Sequence, residues 1–269
     1  MTIISHSRKF IFVKTMKTAG TSIEMALSKY CSDRDILAPL GDPGEEDKRR
    51  EIAGIGSQNY LRPFAEYRLP QRLKKLVRGR RESKYDEHAP AWQIRSRLGE
   101  DLWSDYFKFA VVRNPFDRCV SRFYYTTRWF DERNSHEVWD RRSFDQFLRY
   151  HPEMINENWR MYTEKDEIAV DFVIRYEHLE EDLARVSARI GLGHNLFDDL
   201  KDIRAKGDYR PDRSPPGEIF DERQKLLVSL LCRKEIELFG YGFEDVERRA
   251  RRRFDKHPSV RQPPTGALA

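Results

Sequence analysis

Lys17, Thr18, Ala19, Gly20, Thr21 and Ser22 follow closely on the apolar run FIFV at 10–13, within the stretch KFIFVKTMKTAGTS. A loop carrying lysine, glycine and hydroxyls between a strand and a helix presents backbone N–H groups at the positive helix end, a place suited to a phosphate-like anion. The spacing is not that of a nucleotide triphosphatase. A Walker A loop sets its lysine directly after the second glycine, whereas here Thr21 follows Gly20 and Lys17 precedes it. The ammonium therefore sits inside the bend and reaches a group above the helix N-terminus from the other side. Taken alone, a Gly-Thr turn has a plainer alternative, that of an ordinary helix cap.

A second set changes the balance. Arg113 ends the apolar run FKFAVVR at 107–113, and Ser121 stands two helical turns further on. An arginine there can make forked hydrogen bonds to a phosphate and a serine hydroxyl can donate another. Without a ligand, the pair is a strand-end residue and a helix-surface residue. His88 opens HAPA just before this second unit, and imidazole titrates near neutrality, so it is the first histidine to consider as a general base. Its alternative role is capping or packing.

These residues need elements to hold them. Ile23, Ala26, Leu27 and Tyr30 repeat at helical spacing, which predicts a helix over 21–30. Asn114 and Pro115 read as the N-cap and first residue of a second helix, with Phe116, Val120, Phe123 and Tyr124 on one face. A third unit runs from IAVDFVIRYE at 168–177 into a helix marked by Leu183, Val186 and Ile190. Repeated strand, turn and helix predict an α/β fold with a parallel sheet flanked by helices.

KTAGTS at 17–22 resembles the 5′-phosphosulfate loop of the sulfotransferases, usually written PKTAGTS, with Met16 in place of the proline. Loss of that proline is expected to relax the loop slightly. VVRNPFDRCVSRFYY at 111–125 resembles the 3′-phosphate motif of the same superfamily. HAPAWQIRSRLGEDLWSDYFKFAVVRNPFDR, RYEHLEEDL and EIELFGYGF are similar to successive blocks of the family-2 type, which includes bacterial and carbohydrate sulfotransferases.

The resemblance implies a P-loop-like scaffold and the donor 3′-phosphoadenosine 5′-phosphosulfate (PAPS), with no metal required. The donor's phosphosulfate would lie over Lys17 to Ser22, Ala19 included, and its 3′-phosphate between Arg113 and Ser121. Arg213 and Ser214, in DYRPDRSPPGE, are candidates to close over the nucleotide's phosphates, or else belong to a solvated connector. Lys17 is the candidate catalytic cation and His88 the candidate base. Glu24 and Glu87 stand in reserve as bases, Glu24 with the plainer alternative of a first-turn helix acid.

The chain has 269 residues, 35% charged and 39% hydrophobic, which predicts one domain over 1–245 with a thin core. Within it, 41–87 loses all periodicity and reads as an acceptor-side insertion or lid between the first helix and the second motif strand. Residues 246–269 read as a basic tail, partly disordered, able to make weak contact with a membrane surface or anionic polymer. The net charge of +5 suits an anionic ligand. No RRM or KH signature appears, so no nucleic acid is expected as a partner. Cys31, Cys119 and Cys232 lack CxxC spacing, and no leader or membrane span is evident, which together predict a cytoplasmic location. Acceptors consistent with the residues are a glycan, a glycolipid or a small molecule; the oligomeric state is open. Competing readings are an atypical nucleotide-dependent kinase, which needs a magnesium-binding carboxylate, and a non-catalytic anion or RNA-binding module.

Overall fold

Three strands that each lead the chain toward a helix lie side by side in one sheet. The computed structural model describes residues 2–64, 67, 82–134, 141–201, 203 and 219–256, excepting the side chains of 43, 127–134, 141–143 and 250–256. These fall into two compact units, Met1–Arg113 with Glu157–Gly207, and Asn114–Asn156 with Asp208–Ala269.

In the first unit, β1 (Ile3–Ser5), β2 (Phe10–Val13), β3 (Ile36–Leu37), β4 (Phe107–Val112) and β7 (Phe172–Arg175) make one sheet in the order β3-β1-β2-β4-β7. A separate two-stranded hairpin is built by β5 (Thr163–Glu164) and β6 (Glu167–Ile168). β2, β4 and β7 run parallel, with Phe12 opposite Phe109 and Val111 opposite Ile174. The expectation of a parallel sheet holds only for these three. β1 pairs antiparallel with both β2 and β3, so the sheet is mixed. The reason is local: residues 6–9 form a turn between β1 and β2, too short for a crossover helix.

Buried on both faces, β2 and β4 read as near-continuous apolar runs, as central parallel strands do. Helix α1 (Gly20–Ser28) lays Ile23, Ala26 and Leu27 against Phe10, Phe12 and Phe109, and Leu183, Val186 and Ile190 complete the core. Helix α2 (Pro43–Glu51) lies inside the segment read as an insertion. Asp42 caps it, accepting from the Gly44 N–H at 2.8 Å, with Pro43 at its first turn. The part of that segment from 41 to 58 is integral to the first unit, since Arg49 is fully buried and Gln58 pairs with Leu37.

The second unit is helical. Pro115 starts a helix that runs to Asn134, capped as expected by Asn114 Oδ1, which accepts from the Phe116 N–H at 3.1 Å. Its Phe116, Val120 and Phe123 meet Phe144, Phe147, Phe220 and Val228 in a separate core. Within that core Arg118 forks onto Glu235 at 2.8 and 2.6 Å and also donates to the Ile155 carbonyl, so the buried cation is fully engaged. Two late helices follow, Glu222–Leu231 and Arg233–Phe239. Gly240 ends the second at φ 63°, the left-handed cap a glycine supplies. The expected basic tail begins as a helix, Phe243–Lys256; residues 257–269 lie outside the described residues. No described helix is long and apolar enough to cross a membrane.

Candidate functional site

The loop between β2 and α1 is held in a form that costs free energy. Lys17 and Ala19 both lie in the left-handed region, at φ 60° and 65°, although neither is glycine. Such residues persist only where their surroundings over-determine them, and alternation of this kind turns successive N–H groups into an anion-binding nest. Three side chains of the first unit supply the restraint. Asn158, fully buried, accepts from the Met16 N–H at 2.8 Å and donates back to the Met16 carbonyl at 2.9 Å. Arg113 donates to the Lys17 carbonyl at 2.9 Å while lying 4.4 Å over the Tyr176 ring. Thr15 bonds the Val111 carbonyl at 2.5 Å and Thr18 Oγ1 at 2.8 Å, which ties the loop to β4.

This geometry sorts the loop residues. Thr18 is fully buried with its hydroxyl turned inward on Thr15, so only its backbone can face a ligand. Ala19 precedes the helix without a side-chain cap, and the first turn of α1 holds no acid. The first bond along the helix runs from the Ile23 N–H to the Ala19 carbonyl, ahead of which lie the N–H groups of Gly20, Thr21 and Ser22. Gly20 is required by a close approach: a Cβ there would stand 2.8 Å from Lys14 Cγ and 3.3 Å from the Thr15 carbonyl.

Lys14, which sequence reasoning passed over, is the centre of a buried ionic cluster. Its ammonium lies 3.2 Å from Glu24 Oε2 and 2.8 Å from Glu87 Oε1. Glu24 in turn accepts from Arg49 at 2.6 Å. Burial works against the Lys14 charge, yet Glu24 and Glu87 outweigh it and hold its pKa above the ordinary lysine value. The signal was a lysine placed at the end of the apolar run FIFV, where the stem has to be buried. Glu24 is therefore not a first-turn acid: it sits in the body of α1, fully buried between two cations. Glu87 is half-buried; burial pushes its pKa up, but the Lys14 charge overrides this and brings it to about 2.

His88 comes to the same place. Its Nδ1 lies 3.3 Å from the Lys14 carbonyl, and because a carbonyl only accepts, Nδ1 carries the hydrogen. Nε2 then holds the lone pair of the neutral ring, 3.7 Å from Glu87 Oε1. Burial, with the Lys14 charge nearby, drives the His88 pKa well below the ordinary value of 6.5. The structure thus brings His88 to the start of the 14–22 loop. Ser121 lies half-buried on the helix Pro115–Asn134 of the second unit, while Arg213 and Ser214 lie outside the described residues.

Comparison with known proteins assigns the chain to a family. The profile of the Sulfotransferase family matches residues 1–242, and the chain belongs to that family. The chain is also similar to an uncharacterized protein of Archaeoglobus fulgidus, 36% identical over 110 residues that make up 40% of this chain and 86% of that protein. No solved structure matches.

Proposed function

We propose that this member of the sulfotransferase family moves a sulfuryl group from PAPS to a hydroxyl of a glycan, glycolipid or small-molecule acceptor, on a P-loop-like scaffold. The observation that carries the reading is the uncapped, acid-free N-terminus of α1 behind a restrained left-handed loop, with His88 hydrogen-bonded to the loop's first carbonyl. A capping side chain or a first-turn carboxylate would compete with an anion there, and neither is present.

The donor supplies a sulfuryl group joined to a phosphate through a bridging oxygen. His88 Nε2 takes the proton of the acceptor hydroxyl, whose oxygen forms the new bond to sulfur as the bond from sulfur to the bridging oxygen breaks. Lys17 meets the electron pair left on that oxygen, helped by the N–H groups of Gly20, Thr21 and Ser22. Because burial keeps the imidazole neutral, the base is ready at neutral pH. The assignment of the 3′-phosphate to Arg113 and Ser121 is supported by their sequence motif, and so is the cytoplasmic location by the unpaired cysteines.

Calorimetry with 3′-phosphoadenosine 5′-phosphate and with AMP tests the donor. The first should bind at least about tenfold tighter, the equivalent of one charge-assisted contact; equal affinities would overturn the PAPS reading. Transfer of labelled sulfate to a panel of glycans, lipids and small alcohols then identifies the acceptor.

A further inference from the structure

We propose that Glu87 is a positioning residue: fixed by the Lys14 ammonium and by the close passage of Gly41, its carboxylate holds the adjacent His88 on the Lys14 carbonyl and keeps Nε2 as the proton acceptor. This rests on the reading of His88 as general base.

Residues 87 and 88 grip residue 14 at two points. Glu87 Oε1 takes the ammonium at 2.8 Å, and His88 Nδ1 takes the backbone carbonyl at 3.3 Å. The ammonium cannot drift, because Lys14 is only 3% exposed and its other partner, Glu24, is itself held by Arg49. On its far side the carboxylate is closed in by backbone, since a Cβ on Gly41 would fall 2.5 Å from Glu87 Oε2. Gly41 is not in the left-handed region, so close approach is the reason for a glycine there.

The consequence for the imidazole concerns its tautomer. At 3.7 Å, Glu87 Oε1 is beyond hydrogen-bond range of Nε2. A carboxylate free to swing would be the strongest acceptor near the ring and would favour a hydrogen on Nε2, turning the base into a donor. Lys14 and Gly41 prevent that swing. The low Glu87 pKa keeps the carboxylate charged, and so locked, through mildly acidic conditions.

The test uses the full chain labelled with ¹⁵N in histidine, the His88 ring signals being assigned by their loss in His88→Gln. The wild type should show His88 as the single Nδ1–H tautomer. Glu87→Gln, whose amide oxygen still accepts from Lys14, should keep it. Glu87→Ala, by releasing residue 88 from its anchor on Lys14 so that the ring can leave the carbonyl, and Gly41→Ala, by displacing the carboxylate, should each give a mixture. With an acceptor from the panel, Glu87→Ala should lower kcat about 10- to 100-fold, as misplacement does, with affinity for 3′-phosphoadenosine 5′-phosphate unchanged. Added to His88→Gln it should cost nothing further. An unaltered tautomer and kcat in folded Glu87→Ala overturns the proposal. If Glu87→Gln loses as much as Glu87→Ala while His88→Gln stays active, Glu87 is the base, and both this proposal and the His88 reading fall. Normal turnover in His88→Gln with Glu87→Gln also active removes only the base reading, and the tautomer result still decides the clamp.

Discussion

Asn158 grips Met16 by both of its backbone polar groups, Oδ1 accepting from the N–H at 2.8 Å and Nδ2 donating to the carbonyl at 2.9 Å. Met16 occupies the position where the resembled motif carries proline, and a proline has no N–H to offer. The rigidity expected to be lost with the ring is restored by a side chain 142 residues away in sequence. Asn158→Ala should therefore release the loop. Stability should fall by about 1 to 3 kcal/mol for the polar groups left behind, and affinity for 3′-phosphoadenosine 5′-phosphate should fall with it. Thermal melts and calorimetry read the two effects; an unchanged affinity in a folded, destabilised variant would show that Asn158 supports the fold and not the ligand loop.

Gly20→Ala probes the same loop from below. The new methyl would meet Lys14 Cγ at 2.8 Å, and Lys14 cannot move aside because its ammonium is committed to Glu24 and Glu87. Overpacking of this kind costs about 1 to 3 kcal/mol. A melting temperature equal to wild type would mean that the lysine stem relaxes easily and that the buried cluster is looser than its distances imply.

Arg113 has two duties in the first unit, holding the Lys17 carbonyl and stacking on Tyr176, so its place does not depend on a phosphate. Arg113→Lys keeps the charge but loses the planar fork. Nucleotide binding should weaken by about 1.5 to 3 kcal/mol, the range for hydrogen bonds to charged groups. Retained affinity in Arg113→Lys, with loss in Arg113→Ala, would assign Arg113 a point-charge role instead of a forked contact.

What the sequence made legible were features with a period or a fixed local chemistry. The parallel strands β2, β4 and β7 and the Asn114 cap carry such marks. β1 and β3 do not, because IIS and IL are too short to show alternation. Helix α2 was hidden by its charge: PGEEDKRRE has the composition of a solvated segment, although Asp42 and Pro43 are a helix start in plain view. Its buried Arg49 is held by Glu46 on the same helix and by Glu24 25 residues earlier, and the second pairing is one that no local pattern encodes. Asn158 is likewise ordinary in sequence and decisive in space.

The pH dependence of turnover and of stability separates the two groups beside Lys14. Turnover needs His88 neutral, and burial lowers its pKa well below 6.5, so the rate should stay level from neutrality into mild acid and decline only as that lower value is crossed. Stability follows the same titration. Between about 6.5, the unfolded histidine value, and the folded value, the unfolded chain binds a proton that the native chain excludes, so stability is lost as pH falls through this window. Glu87 adds a second window in the same direction. Its folded pKa of about 2 lies below the ordinary 4.5, so its contribution is complete above 4.5 and disappears as pH falls toward 2. Melting curves across pH should therefore show two acid steps, the upper one absent in His88→Gln and the lower one reduced in Glu87→Gln. A rate that instead declines at the ordinary histidine value, with no upper step in stability, would mean that His88 is solvated and not held as described.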